Sequence, residues 1–85
     1  EVHVPFHYVY ILVHTEADQD RFYTGLTDNL RRRLAQHNAG EVAHTAKYHP
    51  WRVKTAVAFR DRARAAAFEA YLKTASGRAF ASKRL

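Results

Sequence analysis

Cysteine is absent from this 85-residue chain. No disulfide and no thiolate zinc site can therefore staple the fold. No apolar run approaches the ~20 residues needed to span a bilayer. The opening stretch, Glu1 to Phe6, lacks a basic segment followed by an apolar one, so no secretory signal is visible and the cytoplasm is the default expectation. Internal repeats, low-complexity tracts and linkers are missing too. The length suits one small domain, 1–85, whose core is marginal but sufficient without staples. Acidic residues are the minority, 8 against 14 Lys and Arg, for a formal charge of +6. That balance points to a polyanion, most often nucleic acid; the plainer alternative is a basic surface kept for solubility. The basic residues are spread along the chain instead of facing bulky apolar ones across a helix, which argues against a membrane surface.

What is present reads as β-β-α-β-α-α. Tyr8 to Val13 is aromatic and β-branched, a buried strand. Glu16 to Asp20 forms a polar hairpin loop, and Arg21 to Leu26 returns antiparallel. Thr27 or Asp28 caps a helix that runs to about Asn38, where Gly40 ends it. Glu41 to His49 is a polar loop. After Pro50, Trp51 to Phe59 alternates as a third strand. Asp61 caps an alanine-rich helix reaching about Thr74. Ser76-Gly77 breaks it, and Ser76 caps a short last helix, Arg78 to Lys83. The fold class is α+β: a small three-stranded antiparallel sheet flanked by helices.

Spacing alone leaves the polar residues open to two readings. In the first helix, Leu30 and Leu34 mark the inward stripe. Arg31 and Arg32 turn well away from it, Arg33 lies at its edge, and His37 shares the face of Arg33. This describes either a solvated basic helix or one wall of a pocket. Glu69 flanks the apolar face of the second helix, yet Lys73 stands four positions on, so an ordinary surface pair is equally available. Tyr8 and Tyr10 share one face of the first strand, where tyrosines often only pack. Gly25 inside the second strand weakens it unless something approaches the backbone closely.

The order of parts resembles the GIY-YIG nuclease family. Tyr8-Val9-Tyr10 stands for the first triplet, with Tyr10 as its retained tyrosine. Tyr23-Thr24-Gly25 stands for the second. Leu30-Arg31-Arg32-Arg33-Leu34 matches the family's Leu-x-x-Arg-Leu setting and singles out Arg33; His37 follows four residues later. Glu69 matches the metal-binding glutamate. His37-Asn38-Ala39-Gly40, Pro50-Trp51 and Ser76-Gly77-Arg78-Ala79-Phe80 look like the compact bacterial single-domain members. Two positions depart from the pattern. A C-terminal asparagine of some relatives has no clear match, Asn38 being the nearest, and Leu26 stands where some relatives carry a polar residue.

The resemblance implies a metal-dependent DNA endonuclease, serving repair, recombination or DNA uptake. The resemblance does not settle which tyrosine is the general base; we assign Tyr10, with Tyr23 as partner or substitute. Arg33 grips the scissile phosphate, His37 orients water or assists proton transfer, and Glu69 holds one Mg²⁺ or Mn²⁺. Tyr8, Arg31, Arg32, His44, Thr45 and Lys47 are expected to contact nucleic acid. No small-molecule cofactor and no membrane partner are expected. Specificity would come from loops, a homodimer or a partner protein. The rivals are a binding module of the same fold that cuts poorly, a scaffold for protein partners, and a nuclease preferring single-stranded or branched DNA. The charge balance predicts micromolar-range DNA association that weakens as salt rises. Titrations at low and high salt check this; equal affinities would count against nucleic acid.

Overall fold

A computed structural model describes residues 5–85. Of the opening stretch Glu1 to Phe6, residues 1–4 lie outside the described residues. The elements are β1 (His7–Glu16), β2 (Gln19–Thr27), α1 (Leu30–Asn38), a short 3₁₀ turn (Ala43–Thr45), β3 (Arg52–Phe59), α2 (Arg62–Leu72) and α3 (Ala75–Arg84). The strands form one antiparallel sheet in the order β2-β1-β3. The expected α+β architecture and element order are observed.

β1 is the central strand, which explains its run of apolar and aromatic residues: it is covered on both faces. Val9 and Ile11 point to one side, where Ala65 and Leu72 of α2 meet them with Phe59, Phe68 and Ala81. Tyr10 and Leu12 point to the other, against Trp51, with Tyr23, Leu30 and Leu34 packed around them. The sheet thus separates an aliphatic core from a second core that includes phenol and imidazole.

A one-residue bulge lets β3 serve both sides. Ile11 pairs with Thr55 and Leu12 with Val53, so Lys54 is left over. Such an insertion re-aims the side chains around it. Val53 joins the Tyr10 side, while the Thr55 hydroxyl donates to the Leu85 carbonyl at the end of α3 (2.9 Å).

Several boundaries differ from the sequence reading, each for a local reason. The hairpin is tighter than the expected Glu16 to Asp20 loop: only Ala17 and Asp18 turn, with φ of 53° and 64°. Glu16 pairs with Gln19, and the Thr15 hydroxyl donates to Asp20 at 2.6 Å. Asn29, not Thr27 or Asp28, caps α1 by accepting from the Arg32 amide (3.0 Å). Thr27 is already engaged, its hydroxyl accepting from the Asn29 amide (3.1 Å). Asp61 caps α2 as expected, accepting from the amides of Ala63 and Arg64. Ser76-Gly77 does not break a helix. Thr74 caps α3 instead, accepting from the Gly77 amide at 3.1 Å. Gly77 lies inside α3 because a Cβ there would overlap the Tyr71 carbonyl, so its missing side chain lets α3 close onto α2.

Two left-handed residues without glycine make the hairpin a site of strain, since a Cβ-bearing residue there costs roughly 1–2 kcal/mol. Replacing Ala17-Asp18 by Asn-Gly, the preferred pair for two positive φ angles, should stabilise the chain by about 1 kcal/mol, or about 4–8 °C in Tm. Thermal melts of the double variant check this.

Candidate active site

The site is built where β1, β2, α1 and the 3₁₀ turn converge. Tyr10 lies opposite Gly25 in the β1–β2 register, and Tyr23 opposite Leu12, so both tyrosines stand diagonally on one face. Gly25 is the close approach that the sequence left open. A Cβ there would lie 2.5 Å from Cζ of Tyr10, so glycine makes room for the phenol. The His37 ring meets both, with centroids 4.9 Å from Tyr23 and 5.9 Å from Tyr10.

The buried groups form a directed chain of hydrogen bonds. Tyr10 Oη lies 2.9 Å from His37 Nε2, and His37 Nδ1 lies 2.7 Å from Thr45 Oγ1. The Thr45 hydroxyl donates its single proton to the Val42 carbonyl (3.3 Å). Toward His37 it can then only accept, which puts the imidazole proton on Nδ1. Nε2 is left as the acceptor, so the Tyr10 O–H donates to it. All three side chains are at most 1% exposed.

Burial acts in opposite directions on the two titratable members. It pushes the Tyr10 phenol above its ordinary value; the Arg33 guanidinium opposes this, while Tyr23 and Glu69 reinforce it. Burial pulls the His37 imidazole below its ordinary value, and the nearby Arg33 charge adds to that. At neutral pH the pair is therefore a neutral phenol facing a neutral imidazole.

Arg33 and Glu69 supply the charges around this pair. Arg33 is half-buried at the edge of α1, and its Nη1 donates to Gln36 Oε1 at 3.0 Å. Among the described residues no carboxylate pairs with it. It lines a cavity of about 530 Å³ together with His7, Arg32, Gln36 and Arg62. Asp28 lines the cavity too, beside Arg32, so three guanidiniums face one carboxylate and the net positive opening suits an anion. Glu69 does form the surface pair that its spacing allowed, with Lys73 Nζ 3.2 Å from Oε2; only 23% of the Glu69 side chain is exposed. The two readings of Glu69 are compatible, because its charge also reaches the Tyr10 phenol.

The remaining expected contacts divide. Arg31, His44 and Lys47 are exposed. Arg32 is exposed as well, with Asp28 3.7 Å away. Tyr8 is half-buried against Phe6. Thr45 requires a correction: it is 1% exposed and bonded to His37, so it cannot lie against a DNA backbone. Its hydroxyl fixes the imidazole instead. Asn38 is likewise used inside the fold, its amide accepting from the Trp51 amide (2.6 Å) and donating to the Trp51 carbonyl (3.0 Å). The sequence reading missed Gln36, although its i+3 spacing from Arg33 carries the signal. It also missed Arg62 and His7, which reach the cavity only through the tertiary fold.

A protein-family model described as the GIY-YIG catalytic domain matches residues 6–83. The chain belongs to the GIY-YIG family. A protein of Haloquadratum walsbyi described as a UPF0213 protein is 47% identical over 38 residues, which cover 45% of this chain and 39% of that relative's length. No solved structure matches. Membership makes this a nuclease-type domain.

The buried pair has a consequence for stability. His37 has a lowered pKa when folded, so unfolded chains take up its proton first. Its contribution is complete above the unfolded value of about 6.5 and is lost as pH falls from there toward the folded value. Tyr10 is shifted the other way, so its contribution is lost as pH rises above about 10. The difference in Tm between the native chain and His37→Gln should narrow as pH drops below about 6.5. Melts from pH 8 to pH 5, about 1.5 units either side of that value, check this; a constant difference would mean that His37 titrates normally.

Proposed function

We propose that this chain is a metal-dependent DNA endonuclease that hydrolyses phosphodiester bonds with Tyr10, His37, Arg33 and Glu69. The observation that carries the reading is the Tyr10–His37 hydrogen bond, a phenol whose proton already points at a neutral imidazole. A phenol held above its ordinary pKa is not a base at neutral pH. It becomes one when its own proton has somewhere to go. In the proposed step, water gives a proton to Tyr10 Oη while Tyr10 passes its proton to His37 Nε2. The water oxygen forms the new P–O bond, and the leaving oxygen departs with the electron pair of the old one. His37 ends the step as an imidazolium whose Nδ1–H is still held by Thr45.

Arg33 binds the scissile phosphate with two parallel N–H donors and counters the charge that builds on its oxygens. Gln36 holds the guanidinium in the edge position from which it can do so. Tyr23 packs beside both rings and is the alternative proton carrier.

Glu69 is the residue that would hold the cation. Among the described residues no cluster of three or more His, Asp or Glu side chains gathers, so the donor set is one carboxylate. That set fits a hard ion such as Mg²⁺ or Mn²⁺, which keeps several waters and takes further oxygens from phosphate. Lys73, whose ammonium lies 3.2 Å from this carboxylate, would have to give way to the ion. When bound, such an ion supplies Lewis-acid stabilisation of phosphate charge.

Among the described residues no helix is long and apolar enough to cross a membrane. DNA repair, recombination or uptake in the cytoplasm would each use such a cut, with a second copy or a partner protein adding specificity.

Incubation with DNA in Mg²⁺ or Mn²⁺, against a chelator, tests the reading. Tyr10→Phe keeps the ring and deletes the oxygen; it should lower the cleavage rate by about 10²–10⁴-fold with little change in DNA affinity. Glu69→Gln should abolish cleavage and leave binding equal or slightly tighter, because a negative charge near phosphate is gone. Arg33→Ala should weaken both. Cleavage that persists in chelator or survives Glu69→Gln would overturn the one-metal site, and DNA binding with no cleavage in either metal would leave the binding module as the better reading. Normal cleavage by Tyr10→Phe but not Tyr23→Phe would move the base to Tyr23.

A further inference from the structure

A second cavity of about 530 Å³ opens beside Tyr23, with different chemistry from the guanidinium-lined one. Ile11, Leu72 and Ala81 give it an apolar floor, and Phe22 forms a wall. Lys54, Lys73 and Arg78 also line it, and among the described residues no acidic one does. Tyr23, on the edge strand β2, lines it as well and so borders both this groove and the Tyr10–His37 cluster.

Phe22 is hard to explain by folding alone. It pairs with Val13 and so stands on the α2–α3 side of the sheet, yet it is 56% exposed. Among the described residues no aromatic ring packs on it; the Lys54 ammonium lies 5.1 Å from its centroid. Lys54 is the residue left over at the β3 bulge. Arg78 is steadied by a bond from Nη1 to the Lys73 carbonyl (2.7 Å), which leaves most of its donors unused.

We propose that this groove binds an unpaired nucleotide of the DNA strand next to the scissile phosphate. The base stacks on Phe22 above the apolar floor, and its phosphate lies between Lys54 and Arg78. This rests on the nuclease reading and names its substrate class: DNA with a single-stranded segment at the cut. A paired base cannot enter, because its faces are already covered by its neighbours in the duplex, whereas an unpaired base offers both. Cations around an aromatic ring suit a strand that brings a phosphate with every base. The guanidinium-lined cavity has no Phe, Tyr or Trp among its described lining residues and would take backbone alone.

Fluorescence anisotropy in chelator, where no cutting occurs, tests this with one sequence presented as a single strand and as a blunt duplex. Phe22→Ala should lose roughly tenfold in single-strand affinity, with duplex affinity unchanged. Phe22→Trp should restore it. Scanning an abasic residue along the single strand should reproduce the loss at one position in the native chain and cause no further loss there in Phe22→Ala. If Phe22→Ala does not fold, Phe22→Leu, which keeps bulk and removes the aromatic face, reads the same quantity. A protein that binds both DNAs and shows no strand-selective loss would overturn the groove while leaving the nuclease reading standing. A protein that binds neither would overturn both.

Discussion

The buried chain from Tyr10 through His37 to Thr45 is the constraint on which the rest of this structure depends. Three polar groups taken out of water must satisfy one another, because each orphan would cost about 1–3 kcal/mol. Among the described residues every buried side-chain nitrogen and oxygen has a partner. That requirement ties together parts of the chain far apart in sequence. Tyr10 comes from the central strand, His37 from the last turn of α1, and Thr45 from the loop beyond it. Thr45 is held in turn by Trp51, whose indole N–H donates to its carbonyl at 3.1 Å. Asn38 grips the Trp51 backbone from both sides. The same bonds that align a proton path therefore also close the loop from Ala39 to Trp51. A protein this small has no separate layer of residues free to support its site.

The opposing shifts on Tyr10 and His37 bear on how such a pair could wait for substrate. Burial keeps both neutral, and the Arg33 charge keeps His37 a poor proton acceptor in the free protein. In the proposed reaction a phosphodiester on Arg33 neutralises that charge. His37 then accepts a proton more readily, just when Tyr10 has one to give. Arg33 would thus act twice, once on the phosphate and once by releasing its hold on the imidazole. The balance needs Arg33 close to the pair but not bonded to a carboxylate, and an edge position on α1 provides both conditions.

Strand and helix faces were legible because they follow period 2 and period 3.6. Tyr10 and Val9 fell on opposite sides as alternation requires, and Arg33 stood at the helix edge as its angle from Leu30 and Leu34 requires. The five residues assigned by family resemblance were also named from the sequence, and the structure brings Tyr10, Tyr23, Arg33 and His37 close together, with Glu69 near enough to act on the phenol. What failed were features set by competition between neighbouring groups. Thr27, Asp28 and Asn29 can all cap, and only the engagement of Thr27 decides for Asn29. Ala17-Asp18 lacks the glycine that would mark a two-residue turn, so the hairpin was read too wide. Thr45 looked like a surface threonine in a polar loop; nothing local says that Trp51 and His37 enclose it. Gly77 looked like a break because its role is to let α3 approach α2, a contact that sequence spacing does not express.

The β3 bulge shows how one irregular residue separates the two kinds of binding surface. Without it, strict alternation would put Val53 and Thr55 on one side and Lys54 on the other. With it, Val53 supports the core around Tyr10, Thr55 reaches the end of α3, and Lys54 is released toward Phe22. The sheet can then carry a closed polar chain on one face and an open, cation-edged groove on the other, with Tyr23 touching both. Those surfaces need different properties. Proton transfer requires rings fixed within a few tenths of an ångström, which dense packing around Tyr10 supplies. Stacking of a base tolerates every sequence because each base has a π face, and an exposed Phe22 with room to adjust suits that tolerance. Precision and permissiveness are thus assigned to opposite faces of three strands, and the bulge is what keeps a single edge strand consistent with both.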